Sequence, residues 1–223
     1  MGGAEAIFDK SIPNADVRAA LIYSPQHHMW EQSDFCNRDM ATGLLTGTKL
    51  GDIYVIALYC HQDAPAVPRK FRQLAARAKQ EGRELLVLSD VNAHSQALWG
   101  GKDTNARGKK WEEFLERQGQ ITIMNKGDKF TFVTARGQSV IDVTLATPKV
   151  ASATNFWEVC DYVPASDHLA ISFVLQTGGG WTMPFRGWDV GRMKDSDWEG
   201  VQSKMEELSL GNSYLPQRAK SPL

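Results

Sequence analysis

Apolar residues at the spacing of β-strands mark six segments of the chain, at 18–23, 53–59, 85–89, 130–133, 140–145 and 169–175. Between the second and third of these, segment 67–81 carries Phe71, Leu74, Ala75 and Ala78 at helical spacing before Gly82 closes it. Segment 109–118 repeats that pattern, with Trp111, Phe114 and Leu115 on one face and Gly119 at its end. Only these two helices separate the strands, and the later strands follow one another directly. That order predicts sheets covered by helices on their outer sides, not a doubly wound parallel sheet. The run Gln176-Thr177-Gly178-Gly179-Gly180 reads as a linker. It divides the chain into a domain over 1–176 and a tail over 177–223, with one further helix expected at 196–208.

Polar residues interrupt the apolar pattern at three places. Asp90 and Asn92 follow the strand Leu85-Leu86-Val87-Leu88, so a carboxylate and an amide emerge at its C-terminal end. Such a pair suits proton abstraction from water and orientation of a phosphate, and it also suits an ordinary turn. His94 and Ser95 nearby fit either the same site or local loop hydrogen bonding. Asp142 lies within Val140-Ile141-Asp142-Val143-Thr144-Leu145, where an acid is costly to bury unless it is paired. Ser166-Asp167-His168, just before the last strand, supplies an imidazole that Asp142 would orient. Each string alone also fits a capped strand end with an exposed histidine. Together the strings favour a site for metal-assisted attack on a phosphodiester.

Composition narrows the reading. The 223 residues suffice for one α/β domain, and 25 Lys and Arg against 26 Asp and Glu give a net charge of -1. Overall charge therefore does not hold this chain on nucleic acid, although a local basic rim remains open. Three cysteines, Cys36, Cys60 and Cys160, show neither metal-ligand spacing nor a disulfide framework, which suits a reducing compartment. No apolar run is long enough to span a membrane, and no targeting segment is evident at the start, so a soluble intracellular protein is expected.

The ordered strings Ser89-Asp90-Val91-Asn92-Ala93-His94-Ser95, Ile141-Asp142-Val143-Thr144 and Ser166-Asp167-His168 resemble the endonuclease/exonuclease/phosphatase superfamily. More closely, the chain resembles the apurinic-type endonuclease domain of non-LTR retrotransposons. Asp103-Thr104-Asn105-Ala106-Arg107-Gly108 after Leu98-Trp99-Gly100, and Phe130-Thr131-Phe132, support the narrower likeness over roughly residues 7–176. The resemblance implies an α/β fold, a four-layer sandwich of two β-sheets flanked by helices, as in deoxyribonuclease I. It implies a metal-dependent DNA endonuclease that nicks a phosphodiester for target-primed reverse transcription, with Mg2+ (or Mn2+) at the mouth of the sheets. Double-stranded DNA would be the substrate, a reverse transcriptase domain in a longer polyprotein a partner, and the nucleus the location. Carried over by residue, Asp90 activates the water and Asn92 orients it. Asp142 orients the catalytic His168, Asp167 lies beside the metal, and Tyr59 contacts phosphate; without the likeness, Tyr59 reads equally as an interface aromatic. Thr131 and Ser166 fall at substrate-binding positions near the site.

The family's opening Asn-bearing strand and its Gln-Glu string, whose Glu is the principal metal ligand, have no counterpart in this sequence. The domain thus reads as N-terminally truncated, with Glu5 and Asn14 lacking the expected surroundings. Residues 134–139 are expected to form a hairpin with Arg136 at its tip, suited to a DNA minor groove or to a plain solvated turn. Arg69, Lys70, Arg72, Arg77, Lys79, Arg83, Lys102, Arg107, Lys109 and Lys110 are candidate phosphate contacts or solvated faces. Two other readings stand beside the nuclease: a non-catalytic retrotransposon-derived remnant with residual DNA binding, and a small-phosphoester phosphatase of the same superfamily.

Overall fold

The computed structural model of the chain describes residues 4–160, 166–178 and 182–187. In chain order the elements are β1 (Glu5–Ile7), β2 (Leu21–Tyr23), β3 (Met29–Glu31), β4 (Met40–Leu45), β5 (Ile53–Tyr59), α1 (Arg69–Glu81), β6 (Glu84–Asp90), α2 (Gln96–Trp99) and α3 (Ala106–Gln118). Then follow β7 (Thr122–Ile123), β8 (Phe132–Thr134), β9 (Gly137–Ser139), β10 (Asp142–Ala146), α4 (Pro148–Ser152), β11 (Thr154–Val159), β12 (Ile171–Gln176) and β13 (Thr182–Gly187). The central sheet has the order β3-β4-β5-β6-β10-β7, and a second sheet has the order β11-β12-β13. Only β5 and β6 pair in parallel within the central sheet, with α1 as their crossover.

Alternation along the central strands builds two cores. Tyr54, Ile56 and Leu58 of β5, with Leu85 and Val87 of β6, pack under Phe71, Leu74 and Ala78 of α1 and Trp111 and Phe114 of α3. Ile53 and Val55, Leu86 and Ala146 face the other way, against Trp157, Val159, Ile171, Phe173 and Leu175 of the second sheet. Because β5 and β6 are covered on both faces, they read as unbroken apolar runs. Ile7 of β1 and Leu21 of β2 extend the core between the sheets. The expected arrangement of two sheets with helices outside is thus present.

Several strands escaped the apolar pattern. In β4, Met40-Ala-Thr-Gly-Leu-Leu is buried throughout, yet it contains a threonine and a glycine. Gly43 lets the Met29 side chain pack close, since a Cβ would lie 2.7 Å from Met29 Cγ and Sδ and 3.0 Å from Ile7 Cδ1. In β11 the alternation breaks at a register shift between Asn155 and Glu158, where Phe156 stands exposed at φ 55°. The strand expected at 18–23 is shorter, Leu21–Tyr23, and pairs with β1. The second sheet continues past the boundary expected at 176, because β13 pairs with β12 along its length. The helix expected at 196–208 lies outside the described residues. Cys36 and Cys60 are free thiols, and no described helix is long and apolar enough to cross a membrane.

Phe71 anchors the helical layer, fully buried with ring centroids 5.7 Å from Trp111 and 5.6 Å from Phe114. Phe71→Ala is expected to cost about 3–5 kcal/mol in chemical denaturation. Phe156→Gly, which relieves a left-handed backbone at an exposed site, should leave stability unchanged or raise it.

Candidate active site

The alternation that sends Val55, Leu86 and Ala146 between the sheets also carries Tyr59, Asp90 and Asp142 to the mouth of that interface. Tyr59 is in register with Asp90 across the parallel pair, and Asp90 with Asp142 across the antiparallel pair. Three candidate side chains therefore form a row over adjacent strand ends. His168 arrives from the segment leading into β12, so the second sheet supplies the imidazole and the central sheet the acids.

His168 Nδ1 lies 3.0 Å from both carboxylate oxygens of Asp142, with the two side chains only 13% and 18% exposed. An ionised carboxylate only accepts hydrogen bonds, so Nδ1 carries the proton and Nε2 is the nitrogen with which the ring would act on a phosphate. Phe132 meets the imidazole edge to face at 4.8 Å, and a β-bridge joins the two residues. The His168 backbone N–H donates to Ser166 Oγ at 3.1 Å. Asp142 and Phe132 thus hold the ring, and Ser166 and the bridge hold the backbone that carries it.

Asp90 and Asn92 form a second unit. The Asn92 backbone N–H donates to Asp90 Oδ1 at 2.9 Å and its side-chain amide to Oδ2 at 3.2 Å. Val91 and Ala93 are fully buried on either side, and Asn92 takes a left-handed φ of 43°. The turn and the candidate site are therefore one geometry: the Asn92 amide steadies the Asp90 carboxylate. Burial, and after it the neighbouring Asp90 carboxylate, pushes the Cys60 thiol well above its ordinary range.

One group of described residues brings metal-capable atoms within 4.8 Å of one another: Asp90, Asp142 and His168. This set does not fit magnesium as a complete shell. Magnesium takes hard oxygen donors in octahedral array, whereas here one donor is an imidazole and both carboxylates are already engaged, by His168 and by Asn92. Asp167, expected beside the metal, is not a member of the group. Its carbonyl accepts from the Val133 N–H at 2.8 Å, which ties the hairpin to the histidine segment.

Other expectations are corrected by burial and partners. Thr131 is fully buried, so it cannot touch a substrate. Its Oγ1 accepts from the backbone N–H groups of Ile141 and Asp142 at 3.1 and 3.0 Å, fixing the strand that bears Asp142. Arg107 does not face a phosphate, since its guanidinium binds backbone carbonyls. Arg77 and Arg83 bind Glu81, and Arg83 also binds the Tyr54 hydroxyl, at the end of β5 opposite Tyr59. Lys70 donates to the Cys36 carbonyl. Arg136 is exposed at the tip of the β8–β9 hairpin, where it was expected. His94 and Ser95 serve the loop: His94 Nδ1 lies 3.0 Å from Asp103, and Ser95 caps α2 and binds Glu112.

Sequence reasoning missed two supports. Asn125 donates to the Asp142 carbonyl and accepts from the Thr144 N–H, both at 2.9 Å, yet its polar surroundings read as loop. Arg18 lies 4.9 Å over the Tyr59 ring and binds Asp39 through two nitrogens, at 2.5 and 2.8 Å. A lone arginine before a short apolar run gives no such signal.

An Asp-held histidine facing an Asp–Asn pair at the mouth of a two-sheet α/β sandwich defines the endonuclease/exonuclease/phosphatase class of fold and site. The sequence model of endonuclease–reverse transcriptase proteins matches residues 53–172, and the chain belongs to that family. It is 27% identical over 169 residues to the putative 115 kDa protein in type-1 retrotransposable element R1DM of Drosophila melanogaster, covering 71% of this chain and 16% of that protein. Among solved structures, the endonuclease domain of TRAS1, a telomere-specific non-LTR retrotransposon, aligns with TM-score 0.68 and 24% identity over 79% of this chain and 81% of its own. The 3'-5' exonuclease NExo of Neisseria meningitidis aligns with TM-score 0.50 and 16% identity, over 77% and 88% of the two chains. These structural likenesses establish the fold.

Thr131→Val tests the buried support without changing side-chain shape. Leaving the Ile141 and Asp142 N–H groups without their acceptor should cost about 2–4 kcal/mol in urea denaturation. An unchanged midpoint would remove Thr131 from this role.

Proposed function

We propose that this chain is the DNA-cleaving domain of a retrotransposon, nicking one strand of duplex DNA to expose a 3′-hydroxyl that primes reverse transcription. The observation that carries the proposal is the Asp142–His168 pair set against Asp90–Asn92, with both carboxylates in register on adjacent strands. Water attacks phosphorus, its proton passes to Asp90, and the P–O3′ bond breaks as the departing 3′-oxygen takes a proton from solvent, leaving a 3′-hydroxyl and a 5′-phosphate. His168, protonated and steadied by Asp142, offers a charged hydrogen bond to the phosphate oxygens as negative charge builds. Arg136 at the hairpin tip provides a cation for a groove of negative potential. A divalent ion, magnesium or manganese, would neutralise phosphate charge, but the donors grouped here leave its oxygen shell incomplete. In this reading the domain works in the nucleus beside a reverse transcriptase of the same polyprotein.

Nicking of supercoiled plasmid in magnesium or manganese tests the proposal. His168→Ala should slow nicking at least about 100-fold with its circular dichroism unchanged, and Asp142→Asn nearly as much. Near-normal nicking by both variants would reject these roles. A wild-type chain that binds duplex but nicks in neither metal would be a non-catalytic remnant, and one that cleaves only a small phosphomonoester would be a phosphatase.

Calorimetric titration addresses the metal directly. The incomplete donor set should bind magnesium no more tightly than ~1 mM. Micromolar binding would show that a further oxygen ligand joins Asp90.

A further inference from the structure

Tyr59 and Asp90 are the last paired residues of the parallel strands β5 and β6. The Cys60 N–H still reaches the Asp90 carbonyl at 2.8 Å, and beyond that point the two chains part into separate loops. One loop follows Tyr59 toward α1, and the other carries Asn92 toward α2. No ladder holds them together. Instead, the guanidinium of Arg107, in the first turn of α3, reaches into both. Its Nε donates to the Asn92 carbonyl at 3.0 Å. Nη1 donates to the carbonyls of Gln62 at 2.9 Å and Ala64 at 2.7 Å, and Nη2 to those of Cys60 at 3.4 Å and His61 at 3.1 Å. An arginine has five N–H donors, and every one is committed to a backbone carbonyl.

We infer that Arg107 is a positioning residue of the active site, a clasp that fixes the loop after Tyr59 against the loop bearing Asn92. The inference rests on the reading of Asp90, Asn92 and Tyr59 as parts of a nuclease site. Residues beside Arg107 press the same helix end onto the same loop. Asn105 Oδ1 accepts from the Gly108 N–H at 2.8 Å and the His94 N–H at 3.2 Å, and the Asn105 N–H donates to the His94 carbonyl at 3.1 Å. A Cβ on Gly108 would lie 1.7 Å from the His94 carbonyl oxygen, so only glycine permits the approach. Asn92 is thereby gripped from its own carbonyl and from two residues downstream while it holds a left-handed backbone. Lysine would not serve. Its ammonium is a point donor with three hydrogens, whereas the planar fork spans carbonyls on two separate loops.

The test compares wild type with Arg107→Ala and Arg107→Lys. It measures plasmid-nicking kcat and KM, the salt dependence of duplex binding, and amide hydrogen exchange across residues 60–64 and 92–95. Both variants should lose at least about 10-fold in kcat, with KM and the salt slope unchanged. Exchange should accelerate in both loops together. Millimolar guanidinium should restore part of the kcat of Arg107→Ala, which a general loss of packing would not allow. Arg107→Lys keeps the charge and the helix, and so carries the test should Arg107→Ala not fold. A salt slope shallower by about 0.9 with kcat retained would make Arg107 a phosphate contact and overturn the inference. So would unchanged exchange in either loop. If the wild-type chain nicks no DNA, the nuclease reading fails by itself, and the exchange measurement still decides whether Arg107 joins the loops.

Discussion

A carboxylate at the rim of an apolar core is tolerated only when its charge and its backbone are both answered, and Asp142 is the point where that constraint is met. Its side chain faces His168, its N–H reaches Thr131, its carbonyl takes the Asn125 amide, and its register neighbour is Asp90. These partners come from the segment before β12, the segment before the hairpin, the segment after β7 and the end of β6. Placing one acid correctly therefore fixes four pieces of chain. The order of strands around β10 is what lets them all arrive.

The legible part of the fold was the part with a regular buried pattern, on both faces in the central strands and on one in the helices. The central strands β5 and β6 announce themselves because continuous burial demands continuous apolarity, and α1 and α3 because their one buried face repeats at helical spacing. Strands at the margins do not. In β4, glycine makes room for Met29, and in β11 a register shift beside an exposed Phe156 breaks the alternation, so neither carries a period-2 pattern. The site was legible for the same reason in reverse. An acid in an apolar strand is conspicuous, which singled out Asp142, and the ordered motifs brought in Asp90, Asn92 and His168.

Side-chain roles were harder to read than side-chain presence. Thr131 lies near the site, and sequence alone does not separate a hydroxyl that meets substrate from one that accepts two backbone N–H groups. Arginine is more ambiguous still, because phosphate oxygens and peptide carbonyls satisfy the same donors. Arg107, Arg83 and Arg136 look alike in the sequence. In the fold one clasps two loops, one braces a tyrosine and a glutamate at the far end of β5, and one stands exposed on a hairpin. Only the last keeps its charge toward solvent on the side of the site.

The site also divides by kind of chemistry. The hydrogen-bonded acid–base pairs are built: Asp142 fixes the tautomer of His168, and Asn92 fixes the orientation of Asp90. Every oxygen used in those bonds is partly withdrawn from a cation, because lone pairs shared with N–H donors no longer point into an open coordination shell. Rigid acid–base geometry and a generous metal shell thus compete for the same two carboxylates. The competition is relieved if a hard ligand is supplied from outside the trio, so that Asp142 remains with its histidine and Asp90 alone turns one oxygen to the ion. In the proposed reaction the trio would move protons and stabilise charge on phosphate, and a metal would need oxygen ligands from beyond it.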